Sequence, residues 1–543
     1  MKNAIPLDVL IIGAGVNGAG VFRDLCAQGL KCAIIEKSDF GSGTSAASSR
    51  LIHGGLKYLE TGELRLVAES TLERNILLSN APHLVKPLKT LIPMFSWLKG
   101  ISAAIQTLMG STTAPRNRGA ILIKVGLAIY DFYGRHHRVM PKHRFLFKSS
   151  VKQEIPALNR EAVAVGIYFD AMITAPERLV MELVQDGLQS HQGSIALTYA
   201  KVDSLSGSDV LAADENGETH TFSPKIVVNA AGPWIDHVNE SLGAPTKLIS
   251  GTKGSHIIVD NQELVTLLDG RMLYYEANDG RICLVYDYLG KVLIGSTDSR
   301  ATDPESVICE EAEIDYFLKS LAYILPEIVV TRDQIIFTYS GIRPLPASDR
   351  STVGLISRDH SVSVIETDNI RKFPIISLIG GKWTTFRSFS EEVADLILNR
   401  LNTSRVLSTK ELVIGGGINY PKKPEVWCAN FVDPERAKIL LSRYGMTAVK
   451  ILNLEKNNPR MLKHTASYSE QEIAWIAKHE QVIHLNDLII RRTHLAVCGQ
   501  LNAAGLSEIA EIVGQTLKWD ADQISHETTK TQKLLLERHH QFV

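Results

Sequence analysis

The sequence predicts an α/β protein made of a doubly wound parallel-sheet domain, an interleaved and mainly antiparallel β domain, and a helical C-terminal domain. Three observations support this. Short apolar runs alternate with a helical pattern near the N terminus, runs of β-branched and aromatic residues lie between turn signals at 251–346, and helical patterns dominate after about residue 403. A chain of 543 residues is also too long for one hydrophobic core.

The first element is a strand, a helix and a second strand within residues 8–37. Strands joined by a helix run parallel, so this segment is a βαβ unit. Gly13, Gly15 and Gly18 form G-x-G-x-x-G between the first strand and the helix, and Glu36 closes the second strand. In this setting the glycines bring a pyrophosphate close to the helix N terminus and the acid binds ribose hydroxyls, which predicts a Rossmann-like dinucleotide site.

The choice of dinucleotide depends on two features. The carboxylate of Glu36 disfavours a 2′-phosphate, which leaves FAD or NAD. The segment GSGTSAASSR at 41–50 favours FAD, whose extended body needs contacts beyond the first βαβ unit. Its candidate donors to the pyrophosphate or ribityl oxygens are Thr44, Ser45, Ser48 and Ser49. A flexible serine-rich loop is the alternative interpretation of this segment.

Two later segments, KIVVNAAGPW at 225–234 and IISLIGGKWTTF at 375–386, are again short strands that run into small residues. They predict further strands of the same sheet and further cofactor contacts. The candidate contacts are Ala230, Gly232, Trp234, Gly381, Lys382 and Thr384. A helix that begins near Thr384 would stabilise negative charge on a reduced flavin, and Lys382 would reinforce it or reach the substrate.

The predicted domain boundaries follow these patterns. The sequence divides into an FAD-binding domain at 1–80, 150–245 and 340–402, a basic and apolar insertion at 81–149, a substrate or cap domain at 246–339, and a helical C-terminal domain at 403–543.

The segment SRLIHGGLKYLE at 49–60 is unusual in placing two glycines among His53, Lys57 and Tyr58. A flat isoalloxazine ring can lie against the main chain where side chains are missing, as at Gly54 and Gly55. We therefore expect these glycines to contact the flavin and the three side chains to flank its ring.

Composition excludes several classes of protein. The formal net charge of −1 gives the chain no overall attraction to nucleic acid. The six cysteines form no C-x-x-C pair, so no zinc or iron–sulfur site is expected, and they indicate a reducing compartment. The N terminus does not resemble a signal peptide, and no apolar run has the roughly 20 residues of a membrane-spanning helix.

One region departs from this neutral average. Residues 75–152 carry twelve Lys or Arg against one acid, Asp131. The same region contains two apolar segments, LIPMFSWLKGISAAIQTLMG and GAILIKVGLAIYDFYG, which are edged with cations. This combination suits a helix or loop that lies on an anionic membrane surface. The alternative is that the apolar residues belong to the core and the cations face solvent.

Taken together, the motifs resemble the FAD-dependent glycerol-3-phosphate dehydrogenases of the membrane-associated, quinone-reducing type. The matching segments lie in order between Asp8 and about Leu495, and they are the βαβ unit, GTSAASSRLIHGGLKYLE, VVNAAGPW, GTKGSHIIV, IGSTD, TYSGIRPL, IGGKWTTFR and, in the helical tail, DLIIRRTHL. Single motifs of this kind are generic to flavoproteins, whereas the ordered set is specific.

The resemblance implies oxidation of sn-glycerol 3-phosphate to dihydroxyacetone phosphate, with the C2 hydride passing to flavin N5 and the electrons to a membrane quinone. It also implies a cytoplasmic protein bound peripherally to the inner face of the membrane. The reaction needs a base, for which His53 and His256 are the candidates, and sequence does not rank them.

Cations must hold the phosphate dianion, and Arg343 and Lys57 are the candidates. Many members of the family carry Arg where this chain has Lys57. Tyr58 is expected at the substrate, and Lys382 joins the two histidines and Arg343 as a candidate catalytic residue.

Three other functions remain open at this level. An oxidase that uses dioxygen and makes hydrogen peroxide would carry the same motifs, and a flavin amine or 2-hydroxy acid oxidase shares the broad fold but binds a carboxylate. A non-catalytic FAD-binding protein, with the helical tail docking a partner, is the alternative from another class. The sequence does not determine the oligomeric state.

Overall fold

The computed structural model describes residues 4–59, 63–100, 118–135, 139–301, 303–347, 359–456 and 458–543. Its strands are β1 Ile5–Ile12, β2 Cys32–Ile35, β3 Leu51–Ile52, β4 Val85–Met94, β5 Arg144–Phe147, β6 Ala164–Ile173, β7 Ile195–Leu197, β8 Ala200–Ser206, β9 Asp209–Asp214, β10 Thr219–Asn229, β11 Ile249–Val259, β12 Arg271–Glu276, β13 Ile282–Tyr288, β14 Lys291–Gly295, β15 Ser299–Arg300, β16 Ile335–Pro346, β17 Ser361–Ile365 and β18 Ile375–Ile379.

The helices are α1 Val16–Ala27, α2 Leu64–Asn80, α3 Ala120–Tyr133, α4 Lys148–Glu154, α5 Pro176–Ser190, α6 Ile235–Ser241, α7 Gln262–Leu268, α8 Glu311–Ile324, α9 Phe386–Arg400, α10 Pro424–Cys428, α11 Pro434–Tyr444, α12 Ala448–Glu455, α13 Glu470–His479, α14 Ala503–Leu517 and α15 Ala521–His539. A π-helical turn, Asp487–Arg492, lies between α13 and α14.

The first sheet is built on parallel strands. Its order is β17-β18-β10-β1-β2-β7, with β8 and β9 attached through β10. β1 lies between β2 and β10 and runs parallel to both. Val9 and Ile11 of β1 belong to one hydrophobic core and Leu10 and Ile12 to another, so both faces of the sheet are covered. The parallel sheet predicted from three separate segments is confirmed.

The second sheet is mainly antiparallel and has the order β15-β11-β14-β13-β12-β4-β6-β3, with β16 on β11 and β5 on β6. Strand membership differs from the predicted domain boundaries: β4 and β5 come from the predicted insertion, and β3 and β6 from segments predicted to lie in the FAD-binding domain. β4 pairs with β6 along its whole length, from Val85 opposite Ile173 to Met94 opposite Ala164. Local patterns do not reveal such a non-local pairing, and the division into domains stays a prediction.

The C-terminal region is helical, as predicted, and it packs against the second sheet. Leu440, Ile473 and Ile509 share one hydrophobic core with Tyr286 of β13 and Phe337 of β16. The helical region is therefore joined to the β domain through a common core.

The predicted insertion contains α3, which is apolar on two faces. Ile123 and Leu127 are buried, whereas Ile121, Val125 and Phe132 are exposed. Residues 101–117, which include the second half (101–110) of the first predicted apolar segment, lie outside the described residues. Its first half is described, and 91–94 belong to β4. Among the helices that the structure describes, none combines the length and the apolar composition needed to cross a bilayer.

Candidate active site

The main cavity, of about 820 Å³, lies at the carboxyl ends of the parallel strands, where doubly wound folds bind ligands. It collects residues from four segments that the sequence singled out separately. The predicted cofactor residues that line it are Gly13, Gly15, Glu36, Thr44, Ser45, Ala230, Gly232, Trp234, Gly381 and Lys382.

The turn between β1 and α1 opens into this cavity. Gly13 has a φ of 101°, and a Cβ there would lie 2.7 Å from the carbonyl oxygen of Ala230. A Cβ at Gly18 would lie 2.0 Å from the carbonyl oxygen of Gly13, so this glycine allows α1 to pack closely on the turn. The N-cap residue Gly15 has no side chain to cap α1, and Ser45 Oγ accepts a hydrogen bond from the Val16 N–H at 2.9 Å. This geometry suits an anion at the helix N terminus.

Glu36 directly follows β2, and two main-chain hydrogen bonds fix its carboxylate beside the turn. Its carboxylate accepts hydrogen bonds from the Ala14 N–H at 2.9 Å and the Ser38 N–H at 3.1 Å. Burial raises the pKa of this carboxyl above its usual value, and the two amides oppose the rise. A partly buried acceptor at the end of β2 fits the ribose of a dinucleotide.

Three of the predicted cofactor hydroxyls bond the protein outside the lining of this cavity. Ser48 Oγ accepts from the Arg50 N–H at 3.2 Å, and Ser49 Oγ lies 2.8 Å from Nε2 of His256. Thr384 Oγ1 accepts from the N–H of His53 at 3.1 Å and donates to its carbonyl oxygen at 3.0 Å. These hydroxyls order the main chain around the two candidate histidines.

At Gly54 and Gly55 the room left by the missing side chains is occupied by other parts of the protein. A Cβ at Gly54 would lie 2.3 Å from Oη of Tyr130, and a Cβ at Gly55 would lie 2.3 Å from Cδ2 of Tyr58. The Gly54 N–H also donates to Tyr130 Oη at 3.0 Å and to Asp170 at 2.9 Å. The space left by the missing side chains is thus filled by tyrosines, and packing explains the glycines. Their contact with the flavin stays a prediction.

His53, Tyr58 and Lys382 lie close together. The Lys382 Nζ is 4.0 Å from the centroid of the Tyr58 ring, and the rings of His53 and Tyr58 are 6.0 Å apart. Nδ1 of His53 accepts a hydrogen bond from the Gly55 N–H at 3.1 Å. Lys57 belongs to the 3₁₀ turn Leu56–Leu59, but its side chain lies outside the described structure.

His256 is buried on β11 and stacks on Tyr339, with ring centroids 4.8 Å apart. Its pKa lies well below the usual value, mainly because of burial, with the charges of Arg343 and Arg50 adding to the effect. A Cβ at Gly295 would lie 2.2 Å from the imidazole, so that glycine provides the room for the ring. The structure therefore holds a neutral imidazole at this position.

Arg343 lies on β16 opposite Thr252 of β11. Its guanidinium donates to Asp298 at 3.1 Å, to the Thr297 carbonyl at 3.1 Å and to Ser296 Oγ at 3.3 Å. A Cβ at Gly254 would lie 2.1 Å from the guanidinium, so the glycine leaves the space that it occupies. The guanidinium of Arg343 is thus fixed by hydrogen bonds, and its charge acts on His256. The next residue, Pro344, lines the main cavity.

Sequence reasoning missed Asn17, which lies in the first turn of α1 and lines the cavity. Its Nδ2 donates to the Gly380 carbonyl at 3.3 Å, while its buried Oδ1 has no hydrogen-bond partner among the described residues. An unsatisfied buried acceptor beside Gly381 fits a bound polar ligand. A polar residue directly before the third glycine of the motif was the available signal.

It also missed four residues of the C-terminal region that line the same cavity. They are Asn486, Arg491, Leu534 and Arg538. They follow the N-terminal motif by more than 440 residues, and nothing in their local pattern points to a nucleotide site.

The glycine turn, the fixed carboxylate of Glu36, the unsatisfied Oδ1 of Asn17 and the size of the cavity fit an extended dinucleotide such as FAD. Comparisons with known proteins agree. Residues 8–380 match the family described as FAD dependent oxidoreductase, and residues 407–524 match the C-terminal domain of alpha-glycerophosphate oxidase.

A glycerol-3-phosphate dehydrogenase of Synechocystis sp. is 32% identical, over 96% of this chain and 95% of its own length. The structure of the glycerol-3-phosphate dehydrogenase from Bacillus halodurans complexed with FAD covers 98% of this chain and 95% of that chain, with a TM-score of 0.75 and 24% identity. L-alpha-glycerophosphate oxidase from Mycoplasma pneumoniae with FAD bound covers 73% of this chain and 95% of that chain, with a TM-score of 0.53 and 20% identity. The chain therefore belongs to the FAD-dependent glycerol-3-phosphate dehydrogenase family, as its motifs predicted.

Proposed function

We propose that this enzyme oxidises sn-glycerol 3-phosphate to dihydroxyacetone phosphate. The observation that carries the proposal is the main cavity, whose lining combines the dinucleotide residues Gly13 and Glu36 with the cation Lys382. Arg343 lies outside this lining, one residue before the lining residue Pro344. When bound, FAD supplies the acceptor for the C2 hydride. The remaining tasks, binding of the phosphate and removal of the hydroxyl proton, fall to side chains of this chain.

We assign the proton acceptor to His256. Because its pKa is lowered, the imidazole is neutral at neutral pH and ready to accept a proton from the C2 hydroxyl. Its Nε2 is 2.8 Å from Ser49 Oγ, and its Nδ1 is buried without a hydrogen bond to any described residue. His53 is the alternative. Its Nδ1 already accepts from the Gly55 N–H, so a neutral ring carries its hydrogen on Nε2.

We assign the phosphate to Arg343, with support from Lys382. The contact with Asp298 fixes the plane of the guanidinium, and a planar fork can hold two oxygens of a phosphate. Lys382, over the ring of Tyr58, adds a point charge at the cavity. Asp298 also places one negative charge near the expected dianion, so binding must overcome its repulsion.

Anaerobic titration of the purified yellow protein tests the reaction. We expect sn-glycerol 3-phosphate to bleach the oxidised flavin band and sn-glycerol 1-phosphate, glycolate and glycine to leave it unchanged. Bleaching by glycolate or glycine alone would indicate an oxidase of carboxylate substrates. Bound FAD that no polyol phosphate bleaches would favour a non-catalytic FAD-binding protein.

We further propose that the enzyme docks on an anionic membrane and passes its electrons to a quinone there. The support is an apolar surface around α3, made of Trp97, Leu98, Ile121, Val125, Ile129, Phe132, Val139 and Phe147, each at least 36% exposed. The positions 121, 125, 129 and 132 recur every three or four residues, so they share one face of α3. The opposite face packs Ile123 and Leu127 into the core.

Cations border this surface, which favours a bilayer with anionic lipids on the cytoplasmic side. Arg135 lies over the ring of Phe132, with its guanidinium carbon 4.3 Å from the centroid, and Lys124 lies 6.0 Å from the ring of Phe145. Apolar side chains inside a cationic border suit the interface of an anionic leaflet, where quinones are available.

Sedimentation with lipid vesicles tests this surface. We expect binding to vesicles that contain phosphatidylglycerol, weaker binding to phosphatidylcholine alone, and loss of binding in the double variant Val125→Glu, Phe132→Glu. Val329→Glu is the matched control, since Val329 is 71% exposed outside this surface. Equal binding of all variants to the vesicles would refute the membrane-docking proposal. The electron acceptor is tested separately: rapid formation of hydrogen peroxide in the absence of quinone would favour an oxidase.

A further inference from the structure

We propose that the C-terminal region binds the adenosine half of FAD and retains the cofactor, a role for this region that lies beyond the catalytic reaction. Four of its residues, Asn486, Arg491, Leu534 and Arg538, line the main cavity. The first two belong to the segment of the π-helical turn and the last two to α15.

These residues meet the adenosine end of the cavity. Glu36, which marks that end, is followed by Lys37, and the ammonium of Lys37 pairs with the carboxylate of Glu305. The same carboxylate accepts from Trp234 Nε1 at 2.7 Å, and the Glu305 carbonyl accepts from Arg538 at 2.8 Å. The contacts from Lys37 through Glu305 to Arg538 therefore link the end of β2 to α15.

One cation–aromatic contact and one apolar side chain give this end of the cavity a shape that suits a purine nucleoside. The Lys37 Nζ lies 3.9 Å from the centroid of the Trp234 ring, and both side chains line the cavity. Leu534 adds an apolar side chain from α15. A flat base with ribose hydroxyls would be enclosed between these groups and the Glu36 carboxylate.

The π-helical turn is fixed to the loop after β2 by buried ion pairs. Arg492 donates to both oxygens of Asp39 at 2.8 and 2.7 Å, and Arg491 donates to Asp39 at 2.5 Å and to Asp487 at 2.5 Å. Tyr199, another lining residue, donates to Asp487 at 2.5 Å. This explains the DLIIRRTHL motif, which the catalytic site does not use, because its two arginines hold the C-terminal region against the nucleotide end.

The release of FAD from the holoenzyme tests the proposal. After dilution, released FAD is followed by its fluorescence. Arg538→Ala and Leu534→Ala should each release FAD about tenfold faster than the unmodified protein, the effect of losing one charge-assisted or apolar contact. Lys533→Ala is the matched control, since Lys533 is exposed on the same helix and does not line the cavity. Unchanged release from both test variants, or equal acceleration in the control, would overturn the proposal.

A measurement on the unmodified protein guards against misfolded variants. Hydrogen exchange of the holoenzyme and the deflavinated enzyme is compared for 486–492 and 534–538. We expect bound FAD to slow exchange in both segments and to leave α12, which contributes no lining residue, unchanged. Equal exchange in both segments with and without FAD would refute the role of the C-terminal region.

Discussion

The Nε2 atom of His256 lies 2.8 Å from the hydroxyl oxygen of Ser49, a residue 207 positions earlier in the chain. This contact joins the long strand β11 of the second sheet to the segment that carries His53. It places a buried imidazole with a lowered pKa beside the GTSAASSR loop, which supports the proposal that His256 is the base.

His256→Asn should reduce kcat by about 10²–10⁴-fold, the usual contribution of a general base. The pH profile of kcat provides the second readout. A base works when it is deprotonated, so activity should persist as pH falls through 6.5 and be lost only further down, at the lowered pKa of His256. The corresponding His53→Asn variant should lose activity at the same low pH as the unmodified enzyme. If His256→Asn keeps the kcat and the pH profile of the unmodified enzyme, the general base would be His53.

Arg343→Ala should raise the apparent KM for glycerol 3-phosphate strongly and leave FAD bound, because the guanidinium is expected to contact the phosphate. Losing a charge-assisted pair to a dianion corresponds to about 10- to 100-fold in KM. Arg343→Lys should recover part of the loss, since it restores the charge without the fork. The measurements are steady-state kinetics and the visible spectrum, and unchanged kinetics would remove Arg343 from the site.

Gly54→Ala should destabilise the fold by about 1–3 kcal/mol, since the new Cβ would overlap Tyr130 and Thr71 and force them to move. Gly126→Ala in α3 is the control. Among the described residues its Cβ would meet Leu56 and Leu59, both at 3.8 Å, so this change should stabilise by about 0.5–1 kcal/mol. Chemical denaturation measures both. A Gly54→Ala protein of normal stability that has lost FAD would support the prediction that this glycine contacts the flavin.

Arg492→Met should lower the free energy of unfolding by about 3–5 kcal/mol, because it leaves the fully buried Asp39 with too little positive charge. Burial alone would raise the pKa of Asp39, but Arg492 and Arg491 outweigh it and hold the pKa below 3.8. The stabilisation is thus present above that pH and is lost as pH falls through the folded pKa.

Denaturation at pH 7, and at a series of pH values that descends below 3.8, checks the Asp39 contribution. Arg160→Met, which breaks the exposed pair with Glu327, is the control and should leave the midpoint unchanged. Adding Asp39→Asn to Arg492→Met should recover part of the stability, since it removes the uncompensated charge. Failure of the double variant to recover any stability would argue that packing, not charge, sets the cost.

The sequence by itself determined the parallel sheet, the glycine turn, the acid at position 36 and the family. These features are local: a strand, a turn and a helix are specified by neighbouring residues, and the motif carries its own geometry. The same holds for the helical character of the C-terminal region.

Only the tertiary structure decided which distant residues share a site. It paired β4 with β6, filled the space at Gly54 and Gly55 with tyrosines, lowered the pKa of His256 by burial, and brought Arg491 and Arg538 to the nucleotide end of the cavity. Strand pairing and burial depend on contacts between segments far apart in the chain, and no local pattern encodes them.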